Sequence, residues 1–271
     1  MQITVVPVEC VDRADAARAW ARSRFDEALL VLADLTPQLQ PLAMHWVACG
    51  AGSQRVKGVA VCFEGFGQPV ASIAAEDEDA FAALFRQVQG SAPTLVFVNR
   101  QQPMPANIGL KMESIDAWLV SPCVPHRAQP DSEGELLEDA NEVQDFMERM
   151  GMHFWNPAML WFGHAFGIRS AQRDLVCAGC LNFLLAEEKY AQIGPIVTDP
   201  THRGRSMGTR LLEAVRASLA LAGVRQCGVF ASENDARLMD FYRRRGFTQR
   251  GQFCLFSVTP STPGPTSRGT Q

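Results

Sequence analysis

The residues best placed to do chemistry stand in a row at Arg203-Gly204-Arg205-Ser206-Met207-Gly208. Before them, Ile193 to Thr198 is a short apolar run rich in β-branched residues and closed by Asp199-Pro200, the pattern of a strand. After them, Leu211, Val215 and Leu219 recur at every fourth position with Leu212 alongside, the pattern of an amphipathic helix. A small-residue turn feeding a helix start presents backbone N–H groups that have no intrahelical partner, and the helix dipole adds partial positive charge there. Such a place suits a phosphate or pyrophosphate, with two arginines to help. The plainer reading of the same residues is a surface turn that carries two arginines.

Bulk properties narrow the company this turn can keep. The 271 residues suffice for one large domain or two ordinary ones, and 47% apolar with 20% charged residues is a globular composition. A formal net charge of −4 argues against a general nucleic-acid binder, which leaves a basic footprint. No apolar run approaches the roughly 20 residues that cross a bilayer. The N-terminus lacks a cationic-then-apolar signal pattern, so no membrane partner and a cytoplasmic location are expected. Of the eight cysteines, only Cys177 and Cys180 form a C-x-x-C pair. They lie within a strand-like run, where residues three apart point to opposite faces, so a zinc or thiol-redox site is not expected and no metal is assigned.

The elements that must position the turn read as a mixed α/β chain. In the first part, about Met1 to Cys123, a helix is expected over Asp12–Asp34, with Ala16, Trp20, Phe25, Leu29 and Leu32 on one stripe. Strands are expected at His45–Cys49, Gly58–Phe63, Pro69–Ala74, Thr94–Val98 and Ser114–Val120, with a helix opened by Glu76-Asp77-Glu78-Asp79. This half shows no phosphate loop and no nucleophile arrangement. Ser121–Gly134, with three prolines, reads as a linker. The expected division is therefore residues 1–128, an N-terminal α/β domain; 129–258, a second domain; and 259–271, a disordered tail without apolar residues.

In the second domain a helix is expected over Glu135–Met150, then an aromatic segment with Asn156-Pro157 as a helix start and His153, Phe154, Trp155, Trp161, Phe162 and His164 within it. That stripe reads as core or as a ligand wall. Strands follow at Phe166–Arg169 and Leu175–Ala186, then Gln226–Ala231, a helix over Glu233–Arg245, and one or two strands in Phe247–Val258. Residue matching finds no internal repeat.

Two blocks, about thirty residues apart, then carry a resemblance. Arg203 to Gly208 is similar to the phosphate turn Q/R-x-x-G-x-G/A of the GNAT superfamily of N-acyltransferases, with Ser206 in place of the middle glycine. Asp235 to Phe247 resembles that family's N-x-x-A-x-x-x-Y-x-x-x-G-F, with Asp235 at the usual Asn position and Asn234 just before it. The resemblance covers roughly 135 to 258. More faintly, the first 120 residues resemble the divergent leading domain of some members, often a degenerate copy of the same fold.

The resemblance implies a mixed-sheet acyltransferase fold and acetyl-CoA, or another acyl-CoA, as co-substrate. It implies cofactor contacts from Ile196, Val197, Thr198, Arg203, Gly204, Arg205, Ser206, Met207, Gly208, Thr209, Asn234 and Asp235. The amide of Val197 would face the thioester oxygen, and Tyr242 would be the general acid for the departing thiolate; otherwise Tyr242 is a tyrosine at the core's edge. Gln192 occupies the strand where members often carry a carboxylate, and the nearest acids are Glu187, Glu188 and Glu233, so the base is left unassigned. The expected partner is a small-molecule or peptide amine, attacked directly in a ternary complex, by a monomer or homodimer. The alternative is an inactive acyl-CoA-binding or regulatory module.

Overall fold

A computed structural model describes residues 3–8, 11–64, 69–106, 108–124, 134–152, 160 and 165–258, apart from the side chains of Val11 and Asp12. In chain order the elements are β1 (Ile3–Pro7), α1 (Val11–Ser23), α2 (Phe25–Asp34), β2 (Ala43–Gly50), β3 (Val56–Phe63), β4 (Val70–Ala75), α3 (Glu78–Gln89), β5 (Leu95–Asn99) and β6 (Leu110–Pro122). There follow β7 (Glu135–Leu137), α4 (Ala140–Arg149), β8 (Ala165–Arg169), β9 (Leu175–Leu185), β10 (Tyr190–Thr198), α5 (Met207–Leu221), β11 (Gln226–Ser232), α6 (Ala236–Arg243) and β12 (Thr248–Val258).

Among the described residues twelve strands form one sheet in the order β1-β2-β3-β4-β5-β12-β6-β11-β10-β9-β8-β7. The order reads as a pseudo-twofold repeat. Five strands enter from each edge with matching directions, including one parallel pair in each half, β4–β5 and β10–β11. The last strand of each half then crosses the axis. Thus β6 pairs antiparallel with β11 from Gln226↔Pro122 to Ser232↔Asp116, and β12 pairs with β5. The repeat escapes residue matching because it lies in strand order rather than in side-chain identity. The expected boundary at 128/129 falls outside the described residues.

Side-chain alternation sorts the helices by face. On one face Ala117 and Leu119 of β6 join α5 and α6 in a common core, and α3 covers the N-terminal half. On the other, Trp118 and Val120 join Phe183 and Tyr190 beneath α1 and α2. Leu211, Leu212, Val215 and Leu219 of α5 are buried, worth roughly 1.5–3 kcal/mol each.

Three expectations are corrected. Asp12–Asp34 is two helices, broken at Arg24 (φ −125°, ψ 42°), whose guanidinium pairs with Glu76 at 2.8 Å. The break lets Phe25 meet Tyr190 edge-on at 5.4 Å. Glu135–Leu137 is an edge strand on β8, not the first turn of a helix, because α4 starts only where the Asp139 carboxylate accepts from the N–H of Asn141 and Glu142. The helix expected from Glu233 starts at Ala236 for the same reason, the Asp235 carboxylate capping it at Leu238 N, 2.9 Å away. The aromatic and histidine residues between His153 and His164, Asn156-Pro157, and the tail 259–271 lie outside the described residues.

Candidate active site

β10 and β11 are hydrogen-bonded neighbours only from Tyr190↔Gln226 to Gln192↔Gly228. Beyond Gln192 the two strands have no further pairs, and β10 shifts register against β9 at Gln192/Ile193 and again between Ile193 and Ile196. The result is a gap in the sheet with its apex at Gln192 and its mouth near Thr198. Asp199 leaves the strand with its carboxylate on Thr201 N at 2.8 Å, starting one 3-10 turn. The chain then passes Gly204 (φ +78°) and Ser206 (φ +59°) and enters α5. No acid stands in the first turn of α5 and no side chain caps it. Its leading amides therefore face outward beside the exposed Arg203 and Arg205.

The matching place in the N-terminal half is closed. β4 pairs with β5 from Val70↔Leu95 to Ile73↔Val98, and its register with β3 is unbroken. Asp77 caps α3 at Ala80 N, 2.8 Å away, is held by Lys57 at 2.7 Å, and is followed by Glu78 and Asp79. Its own carboxylates occupy the position an anion would need. Only one half keeps the gap and the open helix start.

The ladder also decides which amides of β10 face the gap. Asp199 N–H donates to Val176 O at 2.9 Å, and Val197 stands opposite Ala178. Hydrogen-bonded pairs alternate along an antiparallel ladder, so Val197, two residues from Asp199, also turns its N–H toward β9. Ile196 and Thr198 turn theirs toward the gap. The Val197 amide, expected to face a thioester oxygen, is by this parity turned toward β9. Gly208 lies close by, since a Cβ there would stand 3.8 Å from Thr198 Oγ1, 3.9 Å from Ile196 Cγ2 and 3.9 Å from Phe241.

Tyr242 packs in the same apolar cluster as Ile193, Ile196 and Met207, between Phe241 and Phe247. Burial pushes its hydroxyl up to about 12, against the opposing charge of Arg245. Arg245 lies 3.7 Å over the Phe241 ring, donates to Phe241 O at 2.6 Å, and binds the Thr209 hydroxyl, tying α6 to the first turn of α5. Thr209, Arg237, Asp240, Phe241, Arg244 and Arg245 line a cleft of about 620 Å³ beside that turn. Asn234 is exposed, and the carboxylate of Asp235 is engaged as the α6 cap. A larger cleft of about 700 Å³ lies by α4, walled by Asp139, Glu142, Asp145 and Asp174, and reaches Val176 of β9 and, just past the end of β10, Asp199 and His202.

One carboxylate went unnoticed in the sequence. Asp116 of β6 stands opposite Ser232, on the face that carries Trp118 and Phe230 at the neighbouring paired positions. Burial raises its carboxyl above the usual range, and the charge of Glu233 raises it further. Among the described residues no hydrogen bond or ion pair holds it. No local pattern marks Asp116, because it reaches this face only through the crossing of β6. Cys177 and Cys180 are buried and unbridged and join different clusters, as their spacing requires.

The mixed sheet is of the GNAT acetyltransferase fold. Residues 132–247 match the family model described as the Acetyltransferase (GNAT) family, and the chain carries a GNAT domain there. Among solved structures, a tandem GNAT protein from the clavulanic acid biosynthesis pathway is similar at TM-score 0.60 and 16% identity, covering 96% of this chain and 100% of its own. A Drosophila protein is similar at TM-score 0.69 and 12% identity, covering 95% of this chain and 99% of its own. A GNAT acetyltransferase from Colwellia psychrerythraea is similar at TM-score 0.60 and 12% identity, covering 94% and 99%. These likenesses are of fold. No curated protein matches the chain.

Proposed function

We propose that the chain is an acyl-CoA-dependent N-acyltransferase that moves an acetyl group from acetyl-CoA to a primary amine by direct attack in a ternary complex. The observation that carries this is the parting of β10 from β11 above an acid-free helix start, present in one half and absent from its pseudo-symmetric mate. The amides of Met207, Gly208 and Thr209 receive the pyrophosphate, with Arg203 and Arg205 beside it. The pantetheine arm lies along β10 against the amides of Ile196 and Thr198, and the Ile196 amide faces the thioester oxygen. One such preorganised donor is typically worth ~2.7–4 kcal/mol in the transition state.

Asp116 accepts the proton of the incoming amine. The nitrogen lone pair then attacks the thioester carbonyl, the C–S bond breaks, and the sulfur leaves with the electron pair. Tyr242 donates a hydrogen bond to that sulfur. Its hydroxyl near 12 lies about 3.5 units above an ordinary thiol, so complete proton transfer runs uphill by roughly 5 kcal/mol. The tyrosine thus steadies the thiolate, and solvent completes its protonation. No helix among the described residues is long and apolar enough to cross a membrane.

Calorimetric titration with acetyl-CoA tests the reading, followed by assay of coenzyme A release with a panel of primary amines. Micromolar binding that Arg203→Ala with Arg205→Ala weakens about tenfold is the expected result. Absence of binding refutes the site. Tight binding without turnover on any amine favours the regulatory module.

A further inference from the structure

At the apex of the gap lies a buried polar chain that crosses between the two halves of the molecule. Trp118 of β6, Tyr190 and Gln192 are all buried, with Trp118 and Gln192 fully so. Trp118 Nε1–H donates to the Tyr190 hydroxyl at 2.7 Å, and that hydroxyl donates to Gln192 Oε1. The direction of this chain is forced. An indole nitrogen can only donate, so the phenol oxygen accepts from it and its hydrogen must be passed on. Gln192 therefore presents its carbonyl to Tyr190 and turns its NH₂ away. Flipping the amide would strand the phenol hydrogen and the Gln192 oxygen instead. As it stands, Gln192 Nε2 is buried and has no partner.

Buried donors are nearly always satisfied, and the exceptions call for an explanation. The surroundings supply none. Phe25 meets Tyr190 edge-on, Phe183 lies tilted to it at 6.3 Å, and Phe253 lies 6.2 Å from Trp118. Space for the chain comes from Gly228, where a Cβ would lie 1.9 Å from the Tyr190 hydroxyl, 2.7 Å from Gln192 Oε1 and 2.7 Å from Trp118 Nε1. Gly228 is also the last residue of β11 to pair with β10, opposite Gln192. A ligand held by its phosphates at the start of α5 and running along β10 brings its far end, the acyl group, to this apex.

We propose that the Gln192 carboxamide is a ligand-reading donor, giving an N–H to the acyl oxygen of the bound thioester, so that the site distinguishes an acylated coenzyme from free coenzyme A. The inference rests on the acyl-CoA reading of the gap. It also gives the N-terminal half a part in recognition, because Trp118, carried by β6, sets the direction of the chain and so the orientation of Gln192.

The full-length protein is titrated calorimetrically with acetyl-CoA and with coenzyme A. A neutral hydrogen bond gained only by the acylated ligand favours it about five- to tenfold. In Gln192→Met, which keeps volume and loses that donor, the preference for acetyl-CoA falls about five- to tenfold below the wild-type preference while affinity for coenzyme A stays within about twofold of wild type. Tyr190→Phe, which removes only the hydroxyl that aims the amide, gives an intermediate preference and serves if the methionine variant does not fold. Equal wild-type affinities, or an undiminished preference in the variants, overturn the role of Gln192 while leaving the coenzyme site standing. Failure of both ligands to bind overturns the site and this role together.

Discussion

Replacing Ser206 by glycine should make the protein more stable, although it removes atoms. Ser206 is held at φ +59°, ψ 16°, in the left-handed region, where an L side chain crowds the following carbonyl at a cost of roughly 1–2 kcal/mol. The residue is exposed, and its hydroxyl makes no cap hydrogen bond, so its loss forfeits no contact. Against the relief stands the greater freedom of glycine in the unfolded chain, about 0.4–1 kcal/mol. The balance is a gain of about 0.5–1 kcal/mol, or a rise in Tm of some 1–4 °C for a chain of this size. Thermal and urea melts of Ser206→Gly and Ser206→Ala, with acetyl-CoA affinity measured alongside, check the account. The alanine variant should melt with wild type, because it keeps the strained Cβ and loses only an idle hydroxyl. A destabilised glycine variant, or an alanine variant weakened by about 1 kcal/mol, would refute the reasoning by showing that the hydroxyl caps α5.

Other consequences are equally open to measurement. Asp116→Asn should lower kcat by about 10²–10⁴ and abolish the limb of the pH–rate profile that rises as the carboxyl ionises, with acetyl-CoA affinity unchanged. Glu233→Gln should move that limb to lower pH, since the Glu233 charge helps to raise Asp116. Tyr242→Phe should cost only about tenfold in kcat, as a hydrogen bond rather than a proton is lost; a thousandfold loss would restore full acid catalysis. Asp34, at the end of α2, is pushed up to about 7 by burial, with a Ser72 hydrogen bond opposing. Its neutral form is favoured by folding, so the stability it contributes is complete below its unfolded value near 4 and is lost as pH rises through about 7. Asp34→Asn should therefore match wild type at pH 3 and exceed it at pH 8, by up to roughly 4 kcal/mol in urea melts. A fragment of residues 134–258 lacks β6, so β11 loses seven paired residues and β12 both neighbours; circular dichroism and amide dispersion should show it unfolded.

The turn between β10 and α5 was legible because everything that makes it is local. The β-branched run to Thr198, the Asp199-Pro200 break, the small residues and the leucine stripe all fall within thirty positions, and each acts through its own backbone or nearest turn. The acid-rich helix start of the N-terminal half was legible for the same reason, as Glu76 to Asp79 are consecutive, whereas the unbroken pairing of β4 with β5 was not. Where reading failed at short range, capping geometry decided the outcome. Asp139 and Asp235 each delayed a helix that apolar spacing alone had begun too early.

Tertiary structure decided everything that depends on which strand lies beside which. Side-chain identity in β10 allows either parity of its amides, and only the register against β9, altered by a bulge, turns Ile196 and Thr198 rather than Val197 to the gap. The carboxylate of Asp116 and the indole of Trp118 come to the C-terminal site because β6 crosses the pseudo-twofold axis; Trp118 and its partner Tyr190 are 72 residues apart in the chain. Sequence determines such contacts only through the global packing of two similar halves, since period-two patterning says which face a residue takes and nothing about its neighbour. The sequence by itself determined the acid-free helix start and its two arginines, a property of one turn and one helix; the Gln192 donor and the Asp116 carboxylate proposed to act on an acyl group were assembled by the fold.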